Sequence, residues 1–206
     1  MEPIRRPLRI GLLVPPGNPT LEVGRIALAP PKVSVHFTRM VAPGAVGAKS
    51  ALLPNVARSR VSFPEGYKAP FTKYHTISFP ATKQVRYCYA NRIAVAAVKA
   101  GKPLPDGSAL FAEVHAAKRG ADGKTVVGGD GYFVAEKLVA YTAMVREAGW
   151  GNDIPEMLRN ENWNYAVFTT DKKQRPGVNQ AECLGCHKPL ADASYTFTLK
   201  QFAGGK

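Results

Sequence analysis

Cys183, Cys186 and His187 stand together in the run Cys183-Leu184-Gly185-Cys186-His187, close to the C-terminus. Two thiols three positions apart can add across the two vinyl groups of one haem, and a histidine directly after the second thiol can turn its imidazole onto the iron. The run therefore reads as the attachment motif of a single haem c. Cys183 and Cys186 are the expected covalent anchors, and His187 the expected proximal ligand to iron.

Other chemistries fit these residues less well. A structural zinc needs four ligands, usually from a second Cys or His pair at similar spacing, and only Cys88 remains. A thioredoxin-type redox pair sits at the start of a helix that follows a strand in a βαβ unit, whereas this motif precedes a proline and a loop. An isolated disulfide between Cys183 and Cys186 leaves the adjacent histidine without a purpose.

The 206 residues suit one domain of ordinary size plus an appendage. Lys and Arg number 28 against 15 Asp and Glu, a net charge of +13. These basic residues are scattered as singles and pairs, such as Arg5-Arg6, Lys118-Arg119 and Lys172-Lys173, with no basic helix and no stripe interleaved with aromatics. That pattern argues for a solvated basic surface and against nucleic acid. In a haem protein the same charge can steer an acidic redox partner. No apolar run reaches the length of a membrane span. Haem c is attached outside the bacterial cytoplasm, so a periplasmic or otherwise exported location is expected. Ile10 to Val14, ahead of Pro15-Pro16, is too short for the apolar region of a signal peptide, so the motif alone implies export.

The elements that must position the motif can be read from pattern and punctuation. Leu8 to Val14 is a compact apolar strand, Gly17 to Thr20 a turn, and Val33 to Phe37 a second short strand, together an opening βα unit over residues 1–45. The stretch from Ala42 to Arg60 is rich in Gly, Ala and Pro, and residues 46–60 read as a linker to a haem domain at 61–206. There, Lys83 to Tyr89 alternates as a strand, with Val85, Tyr87 and Tyr89 on one face and Gln84, Arg86 and Cys88 on the other. Asn91 caps a short helix over Arg92 to Lys99, which Gly101 ends. Pro105-Asp106-Gly107 makes a turn into a strand over Ala109 to Ala116, in which Ala112 and Glu113 point to opposite faces. Glu136 to Ala148 fits helix and strand equally, and Asn162 to Phe168 is a further strand. The fold class expected is α+β, mostly an antiparallel sheet with a few helices.

Two resemblances attach to these stretches. The run from Arg9 to Glu22, with Pro15-Pro16-Gly17-Asn18-Pro19-Thr20 at its centre, resembles the start of the aspartate/glutamate racemase superfamily in its maleate isomerase and arylmalonate decarboxylase branch. There the asparagine helps to hold a substrate carboxylate, but the catalytic cysteines lie in later parts of a longer fold. The segment accordingly reads as a truncated fragment, with Asn18 a turn residue.

Phe63-Pro64-Glu65-Gly66-Tyr67, the block from Arg86 to Gly107, Asn162 to Phe168, and Glu182 to Lys188 followed by Tyr195-Thr196-Phe197-Thr198 are, in that order and spacing, similar to the cytochrome P-460 family. The resemblance spans roughly residues 60–200. It implies a mostly antiparallel, commonly homodimeric β-sheet domain holding a five-coordinate haem, with His187 proximal and the distal side open to small ligands such as nitric oxide. Members that oxidise hydroxylamine link a lysine, on the strand after the Pro-Asp-Gly turn, covalently to the haem; the related cytochromes c prime beta lack it. Matched from that turn, the lysine position falls on Ala112. Lys102 and Lys118 are the nearest lysines and read as solvated loop charges. By the same match Arg86 takes the place of a distal-pocket arginine, able to donate hydrogen bonds to an iron-bound oxygen atom or, alternatively, to contact a haem propionate. The expected function is a haem c protein that binds small diatomic or nitrogen-oxide ligands. Hydroxylamine oxidation and simple electron transfer are the alternatives.

His115 and Met144 carry atoms that can ligate iron in sixth position, but surface and core are the simpler places for them. Cys88 reads as a buried free thiol, and Trp163 and the tyrosines as packing for the core or the haem edge.

Overall fold

The computed structural model describes residues 8–14, 33–39, 56 and 58–204. The chain divides into two compact units, residues 1–52 and 53–206. In the first, β1 (Leu8–Val14) and β2 (Val33–Arg39) pair in parallel, Leu8 opposite Val33 and Val14 opposite Arg39. Both expected strands form, the second two residues longer than its alternation suggested. Asn18 and most of the expected linker lie outside the described residues.

The second unit is built on an antiparallel sheet whose five strands follow one another in chain order: β3 (Thr72–Phe79), β4 (Gln84–Ala90), β5 (Ala109–Ala117), β6 (Ala135–Arg146) and β7 (Trp163–Phe168). Short helices complete it: α1 (Arg92–Lys99) between β4 and β5, then α2 (Gln180–His187), a 3₁₀ helix (Lys188–Ala193) and α3 (Leu199–Phe202) after the sheet. This is the α+β architecture expected. The stretch that fitted both periods is β6, because its edges are bonded to β5 on one side and β7 on the other; strand pairing overrides the helix preference of its Ala and Leu. Strand β3 escapes the sequence pattern because a bulge between Lys73 and His75 breaks its alternation.

Asn91 sets the entry to β5. Its Oδ1 caps α1 by accepting from the Ala94 N–H at 3.0 Å and accepts from the Ala109 N–H at 3.2 Å, while its Nδ2 donates to the Gly107 carbonyl at 2.7 Å. Gly107, with φ 86°, takes a turn conformation that few other residues adopt.

Residues directly paired across antiparallel strands share a face. One face carries Arg86, Cys88 and Ala90 of β4, Leu110, Ala112 and Val114 of β5, Ala140, Thr142 and Met144 of β6, and Tyr165 of β7. Its Leu110 end is closed by a core that includes Leu104, Ile154, Trp163, Ala181 and Leu184, so the C-terminal helices pack here. The opposite face carries Phe111, Tyr141, Ala143, Ala166 and Phe168. Phe63 plugs it, edge-on to Phe111 at 5.4 Å, Tyr141 at 5.0 Å and Phe168 at 5.4 Å between ring centroids. Arg60, at the end of the stretch read as linker, bonds this domain: its N–H donates to Asn164 Oδ1 at 3.3 Å.

Candidate haem site

Helix α2 presents the motif. Asn179 caps it by accepting from the Ala181 N–H at 3.0 Å. Ala181 and Leu184, one turn apart and fully buried, fix the helix against the sheet. The same spacing sets Cys183 and Cys186 one turn apart on another flank and His187 one turn beyond Cys183. Both thiols are free, Cys183 half-buried and Cys186 exposed. Burial pushes the Cys183 thiol up to about 11, with Glu182 and Cys186 adding to the effect, and burial raises Cys186 as well. A redox-active pair needs a depressed thiol pKa at a helix N-terminus; here the thiols are raised and lie in the middle and the last turn of the helix. Among the described residues no group of three or more His, Cys, Asp and Glu gathers that could hold a metal ion.

His187 is held on three sides. Its Nδ1 lies 2.6 Å from the Tyr195 carbonyl oxygen; a carbonyl only accepts, so Nδ1 carries the proton and Nε2 keeps a lone pair. The imidazole packs against the Tyr165 ring at 4.7 Å and edge-on to Phe197 at 4.9 Å. Burial lowers its pKa; the Tyr195 carbonyl pulls the other way and the Arg86 charge adds to the lowering. A neutral imidazole with Nδ1 engaged and Nε2 available is the ligating form. Behind it, buried Asn160 donates from Nδ2 to both the Tyr165 hydroxyl (3.1 Å) and the Leu184 carbonyl (2.9 Å). The Lys188 ammonium donates to the Arg159 carbonyl at 2.7 Å just after the helix.

On the sheet face, the Arg86 guanidinium lies 4.4 Å from the Phe79 ring centroid, and its Nε is buried without a hydrogen-bond partner. Buried polar atoms are almost always paired, so this nitrogen is an unsatisfied donor in the same electrostatic neighbourhood as His187. Ala112 is opposite Cys88 on one side and Thr142 on the other. It sits mid-strand in the central strand yet stays half-exposed, which leaves room over the sheet at that point. Free thiols at helical spacing, a neutral imidazole, an unsatisfied buried guanidinium and an open strand centre together fit an iron porphyrin.

Other residues fall elsewhere. Glu113 is on the opposite face, where it accepts from the Tyr67 hydroxyl and approaches His115 Nε2 at 3.2 Å. That removes His115 from the iron. Met144 is buried in the core beside Leu184, Cys88 is a buried free thiol, and Lys102 and Lys118 are exposed loop residues. The Tyr195 carbonyl and Asn160 were not foreseen. A backbone acceptor has no residue-type signature, and a lone asparagine in a loop has no spacing to mark it.

An antiparallel α+β domain with these groups converging on one sheet face and one helix end defines a haem-binding protein. More particularly, the chain belongs to the cytochrome P460 family, whose model matches residues 64–198. It is a haem protein of the P460 type. No curated protein matches the chain. The family match does not reach residues 8–40, and nothing further supports the racemase resemblance there. Among the described residues no helix is long and apolar enough to cross a membrane.

Proposed function

We propose that the protein carries one haem c, bound through thioethers to Cys183 and Cys186 and ligated by His187, with a five-coordinate iron that binds nitric oxide or a similar small ligand on the Arg86 side. The observation that carries the reading is Arg86: a buried, unsatisfied donor on the sheet face, close enough to His187 for its charge to disfavour the protonated imidazole. When bound, the haem supplies an iron centre that accepts a diatomic or nitrogen-oxide ligand. The chain's own residues do the rest. Tyr195 keeps the proton on Nδ1, so Nε2 is free to ligate. Tyr165 and Phe197 restrict the ring's rotation. Arg86 offers an N–H to a ligand that gains negative charge, a role suited to a preorganised donor. Ala112, in place of a lysine, leaves no amine on that strand to link to the haem. An exported location rests on the attachment motif, a homodimer on family membership, and a role for an acidic redox partner on the net charge of +13.

Protein matured with haem-attachment machinery tests this. The expected outcomes are a pyridine haemochrome of the two-thioether type, a ferrous form that binds carbon monoxide, and a tryptic haem peptide joined only through Cys183 and Cys186. A crosslink from haem to any lysine turns the reading to a hydroxylamine-oxidising enzyme. A ferrous form that refuses carbon monoxide is six-coordinate and makes the protein an electron carrier.

A further inference from the structure

Two consecutive residues with a Cβ, Ser194 (φ 50°) and Tyr195 (φ 58°), occupy the left-handed backbone region. Non-glycine residues take this conformation rarely and hold it only where the surroundings over-determine it, often at functional sites. Glycine or asparagine is the usual choice where a helix ends in this way. Here the pair delivers the Tyr195 carbonyl that accepts from His187 Nδ1.

What over-determines the conformation is visible. Ser194 is 6 % exposed, and its Oγ accepts from the backbone N–H of Leu104 at 3.1 Å, a residue 90 positions earlier in the chain. Leu104 is fully buried and stands between Pro103 and Pro105. The prolines lock their own φ, and Pro105 restricts the backbone of Leu104 as well. The donor is therefore stiff. Ser194 N–H to the Ala191 carbonyl (3.0 Å) and Tyr195 N–H to the Leu190 carbonyl (2.8 Å) close the turn locally. The serine hydroxyl hydrogen-bonds it to the Pro-Leu-Pro segment.

We infer that Ser194 is a positioning residue for the iron ligand: anchored on Leu104, it holds the Tyr195 carbonyl on His187 Nδ1 and so sets the donor strength of Nε2. The inference rests on the haem c reading above. A carbonyl held close to Nδ1–H makes the imidazole a stronger donor, a role second-layer partners commonly play at metal sites. Ser194 touches neither iron nor ligand and acts only through the carbonyl.

Three variants in the matured protein decide it. Ser194→Ala removes the anchor and keeps the Cβ, Ser194→Gly removes the anchor and relaxes the backbone, and Ser108→Ala is the control: Ser108 is fully buried and its hydroxyl has no partner. Intact mass reports covalent haem, circular dichroism reports folding, and resonance Raman of the ferrous form reports the iron–histidine stretch. Both Ser194 variants are expected to carry covalent haem with a lowered stretching frequency and a raised reduction potential, while Ser108→Ala matches wild type. Unchanged stretch and potential in folded, haem-bearing Ser194 variants overturn the inference. Failure of both to fold while Ser108→Ala folds also overturns it, since the hydroxyl then serves the fold as a whole. Wild-type protein without covalent haem instead defeats the reading beneath it.

Discussion

Cys88 and Ala112 face each other across β4 and β5, a buried thiol against a half-exposed methyl, in the middle of the sheet face that Arg86 and the C-terminal helices share. The pairing puts Ala112, the residue on which the sequence match drops the expected lysine position, on this face. It also shows what stands there: a methyl group that cannot react, beside a thiol that burial pushes up to about 11 and so keeps protonated.

The two thiols of α2 are expected to act independently. Cys183→Ala or Cys186→Ala leaves a haem held by one thioether, and the double variant yields haem that acid-acetone extracts. Intact mass before and after extraction reads all three. His187→Gly is expected to keep the covalent haem and lose the native ferrous spectrum, with added imidazole restoring it.

Under the proposed function, a change at Arg86 separates ligand binding from folding. Its Nε has no partner within the fold, so Arg86→Leu is expected to leave the melting temperature unlowered. A hydrogen bond from a charged donor contributes about 1.5–3 kcal/mol, so nitric oxide should dissociate from the variant at least about tenfold faster. Stopped-flow ligand replacement measures it, and an unchanged rate assigns the guanidinium to a propionate instead.

Asn91 joins three backbone groups at the start of α1 and the entry to β5. Loss of a helix N-cap costs about 1 kcal/mol and each unsatisfied buried backbone group about 1–3 kcal/mol. Asn91→Ala is expected to lower stability by about 3 kcal/mol or more, read from the urea midpoint at unchanged slope.

Glu113 makes stability depend on pH. Burial pushes its carboxyl up, but the hydrogen bonds from Tyr67 and His115 and the Lys68 charge outweigh that, leaving it below its ordinary value of 4.5. A depressed folded pKa means that the ionised form stabilises the fold above that ordinary value. The contribution fades as pH falls through it and then through the lower folded value. Wild type should lose melting temperature on acidification below about 4.5. Glu113→Gln should melt lower at neutral pH and show a flatter acid limb.

Much of this was legible from residue order. β4, α1, the Pro105–Gly107 turn and β5 follow alternation, a capping asparagine and turn residues, signals carried by near neighbours. β3 was not, because one bulge erased its period, and β6 was not, because its composition serves two structures until neighbouring strands pair with it. Within the candidate site, Cys183, Cys186 and His187 stood out because the proposed haem attachment needs them at fixed spacing, and all three fall on α2. The Ser194 anchor on Leu104 joins residues 90 positions apart, and no local pattern records such a contact.

Sequence by itself therefore determined the chemistry that five adjacent residues can perform and the family to which their setting belongs. Only the tertiary structure decided that Arg86 is left with an unsatisfied donor near His187, that Glu113 pairs with Tyr67 and His115, and that the Tyr195 carbonyl receives the Nδ1 proton. The reason is physical. A covalent attachment motif is local in the chain, whereas burial, strand register and a backbone carbonyl's aim arise only when distant segments exclude water from between them.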